Sequence, residues 1–155
     1  MGHRISRRKD GMITAIISQV YTPSVSASHT RPLFLVSVSA GFPSPADDYL
    51  DGQLDLNQHL IKHPAATFFI RVSGDSMLGA GIHSGDLLIV DRALEATPNR
   101  VVIAVVNGEL TVKRICQQGG RLFLMPDNGA YPPLPIQPTT DFEIWGVVTN
   151  VIHPL

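Results

Sequence analysis

Val72-Ser-Gly-Asp-Ser76-Met-Leu-Gly-Ala-Gly-Ile-His-Ser-Gly-Asp-Leu-Leu-Ile-Val-Asp91 is the stretch around which the rest of the chain reads as organised. Before it runs Thr67-Phe-Phe-Ile-Arg-Val72, apolar and β-branched enough to be a strand. Within it, Leu87-Leu-Ile-Val90 has the continuous apolar character of a short, fully buried strand. Ser76 therefore sits where a strand gives way. Gly74 ahead of it, and Gly79 and Gly81 behind it, relax the backbone enough for a serine hydroxyl and neighbouring N–H groups to come close to a substrate carbonyl. Gly, Ser and Asp are also the residues of an ordinary turn between two strands. The stretch alone does not separate the two readings.

The second half of the chain supplies a partner for Ser76. Asn107-Gly108 favours a type I′ turn and joins Val101-Val-Ile-Ala-Val-Val106 to Glu109–Ile115 as a β-hairpin. Period-two alternation sends Thr111, Lys113 and Ile115 to one face and Leu110, Val112 and Arg114 to the other, so Lys113 can point inward while Arg114 stays wet. A serine hydroxyl is a poor nucleophile until a base takes its proton. The chain shows no obvious Ser-His-Asp set, which leaves a desolvated lysine as the natural candidate. An exposed lysine, with a pKa of about 10.4, is only ~0.04% neutral at pH 7, whereas burial lowers that pKa by several units. Taken singly, Lys113 reads equally well as a surface residue of an exposed strand.

Bulk properties narrow the class. With 155 residues, 44% hydrophobic and 16% charged, the chain can bury one core and is too short to suggest more than one full domain. Twelve Lys and Arg against thirteen Asp and Glu give a formal charge of −1, so there is no overall electrostatic footprint for gripping a nucleic-acid backbone. No sequence-specific DNA binding is expected, and a role on DNA would come through partners. The single cysteine, Cys116, excludes an internal disulfide and fits a reducing cytoplasm; it reads as a small residue at a strand end. No metal and no cofactor is expected. His59 and His63 stand four apart, a spacing that can bind metal on a helix face, but a third ligand is missing and they read as surface histidines. His83, near Ser76 in sequence, is a weaker rival to Lys113 as base.

The remaining segments read as follows. Arg4, Arg7, Arg8 and Lys9 precede a weakly apolar Met12–Tyr21, but Thr14, Ser18 and Gln19 interrupt the run, and neither a secretory signal nor a membrane span is expected. The basic start reads as a solvated end, and Met12 as an alternative start. The Ser/Thr/Pro/His mixture from Thr22 to Arg31 has linker composition, and Leu33-Phe-Leu-Val-Ser-Val38 is extended and apolar, by itself an edge strand. Asp55 and Gln58 resemble a capping box for a two-turn helix ending before Pro64 and packing through Leu56 and Leu60. Gly119-Gly120 turns the chain into a strand at Arg121–Met125, the five prolines of Pro126–Pro138 mark a surface loop, and Phe142–Val151 is a last long strand. The fold class is mainly β, with one short helix and an extended N-terminal arm.

Several words together resemble the catalytic region of the LexA/UmuD family of self-cleaving serine-lysine peptidases, the UmuD-like type in particular. They are Ala40-Gly-Phe-Pro-Ser-Pro-Ala-Asp-Asp-Tyr49, Asp55-Leu-Asn-Gln58, Ser73-Gly-Asp-Ser-Met77, Gly85-Asp-Leu-Leu-Ile-Val-Asp91, Gly108-Glu-Leu-Thr-Val-Lys113 and Trp145-Gly-Val-Val148. The resemblance runs from about Gly41 to Val151. It implies that Ser76 is the nucleophile, Lys113 the general base and Ala40-Gly41 the self-cleaved bond, with the backbone N–H groups of Asp75 and Ser76 stabilising the oxyanion. Residues 1–40 would then be an arm removed by cleavage and 41–155 the peptidase domain. The UmuD type carries cysteine before the scissile glycine, where this chain has Ala40, as LexA-type proteins do. The resemblance further implies a homodimer, stimulation by a RecA filament on single-stranded DNA, and partnership of the shortened form with a UmuC-like translesion polymerase, in the cytoplasm. A LexA-type repressor is the nearest alternative, but forty residues with little helical periodicity are too few for a helix-turn-helix module. A non-catalytic β scaffold for the polymerase is a further alternative, and a signal peptidase would need a membrane anchor.

Overall fold

The computed structural model describes residues 16–23, 28, 30–34 and 50–155. They fall into two compact units: the described residues up to Pro23 with His63–Leu155, and the described residues between Ser24 and Lys62. The proposed scissile pair, Ala40 and Gly41, lies outside the described residues, as do the basic residues of the N-terminus and Met12.

The first unit is mainly β. Its strands are β1 (Ile16–Tyr21), β4 (Thr67–Ser73), β5 (Leu87–Asp91), β6 (Val101–Val106), β7 (Glu109–Gln118), β8 (Arg121–Met125), β9 (Leu134–Ile136) and β10 (Phe142–Ile152). They form one sheet in the order β1-β4-β5-β10-β6-β7-β8-β9, and a further bridge between Ile16 and Thr111 brings β1 back to β7. The last strand thus lies centrally, between β5 and β6. It bends at two register shifts, Ile144/Gly146 and Val148/Asn150. Gly146 is where the bend needs a missing side chain: a Cβ there would stand 2.6 Å from Val90 Cγ1. Beside it, Arg92 lies over the Trp145 ring, which packs against Phe68 at 5.1 Å between centroids.

Two apolar clusters fill the unit. One gathers Ile17, Ile70, Val72, Met77, Ile82, Leu88, Val90, Ile103 and Val112; the other gathers Val102, Ala104, Ile115, Leu124 and Val147. Because β5 and β6 contribute consecutive buried residues, Leu88–Asp91 and Val102–Ala104, they read as unbroken apolar runs rather than alternating ones. The hairpins form as their turns dictate. Asn107 and Gly108 both have positive φ, 50° and 80°, and so do Gly119 and Gly120, 55° and 75°, as a two-residue type I′ connection requires. The proline-rich segment does contribute one short strand, β9, with Pro135 inside it. It lies at the edge of the sheet, where a missing N–H costs no ladder bond.

The second unit holds β2 (Thr30–Phe34), paired antiparallel with β3 (Leu50–Asp55), and α1 (Leu56–Leu60). Asp55 caps the helix as expected, its carboxylate accepting from the N–H groups of Asn57 and Gln58. The helix is five residues long instead of two full turns, and Leu56 is 60% exposed rather than packed, since so short a helix buries none of its residues. Among the described residues, no helix is long and apolar enough to cross a membrane.

Candidate active site

The site is assembled by the excursion between β4 and β5. Its base is stapled by two backbone bonds, Gly85 N–H to Val72 O at 2.8 Å and Val72 N–H to Asp86 O at 3.1 Å, and by the Gly74 N–H donating to Ser84 Oγ. Gly74 and Gly85 take φ of 94° and 95°, so both ends of the excursion need a residue without a Cβ. Inside it a 3₁₀ turn, Leu78–Ala80, closes on Gly81 in the left-handed region. Met77 and Ile82 flank that turn and sink into the first apolar cluster, which drags Ser76 to full burial. The sharp turn expected from the glycines is present, and hydrophobic anchoring on the C-terminal side of Ser76 is what fixes it.

Strand β7 brings the lysine. Its register against β6 sets Lys113 opposite Val102 and Thr111 opposite Ala104. Lys113 is 6% exposed, and its Nζ lies 3.0 Å from Ser76 Oγ, 3.2 Å from Thr111 Oγ1 and 2.9 Å from the Val112 carbonyl. A neutral amine fits this set completely, with two N–H bonds to Thr111 and Val112 and the lone pair left to accept the Ser76 O–H proton. Burial lowers the Lys113 pKa from 10.5 to about 8. Loss of hydration is the cause, and at that value ~10% of the amine is neutral at pH 7.

A second layer holds the serine turn from outside. Asn128 Nδ2 donates to the Asp75 carbonyl at 2.9 Å, and the Tyr131 hydroxyl bonds the Asp75 carboxylate. The Gly79 N–H donates to the Asp127 carbonyl at 2.6 Å, where a Cβ on Gly79 would collide with the same atom. Asp127 is in turn held by Arg114 through Nε and a second guanidinium nitrogen. Arg114 is therefore not the solvated neighbour that alternation suggested. It is partly buried, because β7 is covered on both faces, with Val112 in one cluster and Ile115 in the other.

Ser76 and Lys113 are thus brought together, and Asp75 stands beside them with its peptide pinned. His83 faces Asp86 and stacks on His153, at 4.3 Å between centroids. His59 is exposed, while His63 bonds the Asp91 carboxylate through Nδ1 at 2.6 Å, a partner its own surroundings in the sequence gave no sign of. Cys116 lies within β7 rather than at its end. Sequence reading missed Asn128 and Tyr131, which sit in the proline-rich segment with no local pattern. Thr111 was findable, since alternation had already put it on the lysine's face.

The lysine's burial carries a testable cost. Its folded pKa lies below the unfolded one, so between about 8 and 10.5 the unfolded chain holds a proton that the folded chain has lost, and stability rises with pH across that window. Lys113→Met should therefore melt higher than the parent near neutral pH, by about 1–3 kcal/mol after allowing for hydrogen bonds lost at Thr111 and Val112. The advantage should shrink as pH climbs from about 8 to 10.5. Thermal melts of the two proteins over that range measure it.

The Peptidase S24-like family matches residues 32–149. The chain is 51% identical over 124 residues to Protein SamA of Salmonella typhimurium, covering 80% of this chain and 86% of that protein. It is 45% identical over 133 residues to Protein MucA of Escherichia coli, covering 84% and 90%. It is 37% identical over 119 residues to LexA repressor 2 of Pseudomonas putida, covering 77% of this chain and 58% of the repressor. The match with the family spans both the serine turn and the lysine strand, and this chain belongs to the Peptidase S24-like family.

Proposed function

We propose that this chain is a UmuD-like member of its family that severs its own Ala40–Gly41 bond with Ser76 as nucleophile and Lys113 as general base. The observation that carries the reading is the 3.0 Å approach of a buried, partly neutral lysine amine to a buried serine hydroxyl. Lys113 Nζ takes the Ser76 proton as Oγ attacks the Ala40 carbonyl carbon. The oxyanion collects on the N–H groups of Asp75 and Ser76. Collapse breaks the C–N bond, the Lys113 ammonium returns its proton to the Gly41 amine, and an ester joins Ala40 to Ser76. Water, deprotonated by the same amine, then attacks the ester carbonyl; the C–Oγ bond breaks, the Lys113 ammonium returns its proton to Ser76 Oγ, and Ala40 leaves as a carboxylate. Residues 1–40 would be the arm released, and 41–155 the domain that remains.

The shortened form would act as a homodimer and as the accessory subunit of a UmuC-like translesion polymerase in the cytoplasm, after stimulation by a RecA filament on single-stranded DNA. Identity with SamA and MucA, over most of each of those proteins, supports this UmuD-like assignment above the repressor, of which the chain covers little more than half.

Asn128 takes the part of a positioning residue. A peptide unit is planar, so holding the Asp75 carbonyl from one side fixes where the Ser76 N–H points on the other. Asn128→Ala should slow cleavage about tenfold to a hundredfold through a loosened oxyanion site. The midpoint of the pH–rate profile should not move, because the lysine is untouched. A shifted midpoint with an unchanged plateau would place Asn128 in control of the base instead.

Ser76→Ala and Lys113→Ala should each fold and lose cleavage by a factor of about 10³ or more, and the double variant should be little worse than either, since each removes half of one proton-transfer unit. Intact-mass measurement after incubation reads this directly. A fragment beginning at Gly41 from Ser76→Ala would overturn the assignment.

A further inference from the structure

His83, Asp86 and His153 form a cluster that the self-cleavage chemistry does not use. Asp86 and His153 are far apart in sequence, but the register of β10 against β5 ends with Ile152 opposite Leu87, which sets the next residue, His153, beside Asp86. His83 reaches the same carboxylate from the turn before β5. Asp86 is 1% exposed and anchored, Oδ2 accepting the His83 N–H at 2.7 Å and Oδ1 lying 2.6 Å from His153 Nδ1. Its pKa is lowered: burial pushes it up, and the bonds from the His83 backbone and the His153 ring more than offset that. The group is therefore a carboxylate at neutral pH.

Both imidazoles turn Nδ1 towards this one carboxylate. His153 takes the hydrogen-bonding place, and His83 Nδ1 is left 3.7 Å from Oδ2, beyond a hydrogen bond. The rings stack at 4.3 Å and both lie partly in solvent, at 46% and 38% side-chain exposure. One nitrogen from each histidine and one carboxylate oxygen lie within 4.8 Å of one another. A zinc ion about 2.1 Å from each donor spans pairs up to about 4.2 Å apart, so a small rotation of the exposed rings closes the set. Two imidazoles with one carboxylate suit a borderline cation better than Mg²⁺ or Ca²⁺, and the open side leaves a fourth place for water.

We propose that His83, Asp86 and His153 form a zinc site in which the ion takes the place of the proton between His153 and Asp86 and fastens the end of β10 to the turn that carries Ser76. The cluster shares no residue with the serine-lysine pair, so its test is independent of the peptidase reading.

The experiment titrates Zn²⁺ into the full chain against a colorimetric zinc chelator, with thermal melts alongside. The wild-type chain and Ser76→Ala should each bind one ion and melt higher in its presence. His83→Gln and His153→Gln should each lose at least about tenfold in affinity, while a His59→Gln, His63→Gln variant should keep it. The exposed positions of these rings let the variants fold, which their metal-free melts would verify. The proposal is overturned if the wild type binds Zn²⁺ no more tightly than the doubly substituted His83→Gln, His153→Gln chain, or if binding disappears with His59 and His63.

Discussion

A lysine amine held out of water beside a serine hydroxyl is the constraint on which the rest of this structure depends. Lys113 reaches Ser76 only because β7 keeps its register, with Val102 opposite Lys113 on β6 and Met125 opposite Arg114 on β8. A slip of one residue would turn Lys113 to the opposite face and leave Val112 or Arg114, neither able to act as an amine base, next to the serine. Two tight turns of Asn-Gly and Gly-Gly type fix that register from both sides, by demanding positive φ at both central residues. On the other partner, Met77 and Ile82 bury the serine turn, and the Asp127–Tyr131 segment holds it from outside.

The source of the lowered Lys113 pKa is informative. Loss of hydration is the cause, and no cation among the described residues acts on the amine. The protonation of this amine is therefore a matter of how dry its surroundings are. Burial also explains why the amine's acceptors matter: Thr111 and Val112 satisfy the N–H groups in either protonation state, so burial does not strand a donor, and only the pair with Ser76 changes character as the proton moves. The same burial is a standing cost to stability, which is the usual tension between a primed site and a relaxed fold.

Much of this was legible in the chain itself. Every strand from Thr67 onward except β9 is announced by its apolar pattern or by a turn pair, and Ser76 and Lys113 are identifiable because a glycine-flanked serine and an inward-facing strand lysine occur together with the family's words. What stayed hidden was set by tertiary pairing. Arg114 alternates outward from Lys113 yet is claimed by Asp127, thirteen residues on, because both faces of β7 are covered. Asn128, Tyr131 and His153 owe their places to a loop crossing and to a strand register, and no local periodicity records either. The helix after Asp55 shows the reverse error: its cap was plain, but a cap fixes where a helix begins and not how far it runs.

The measurement that tests the account most directly is the rate at which the purified chain yields a fragment beginning at Gly41, followed by mass spectrometry as a function of pH. The account predicts a single sigmoidal rise with its midpoint near 8, where burial places the Lys113 amine. A midpoint at about 10.4, the value for an exposed lysine, would contradict it. So would a fragment whose first residue is not Gly41.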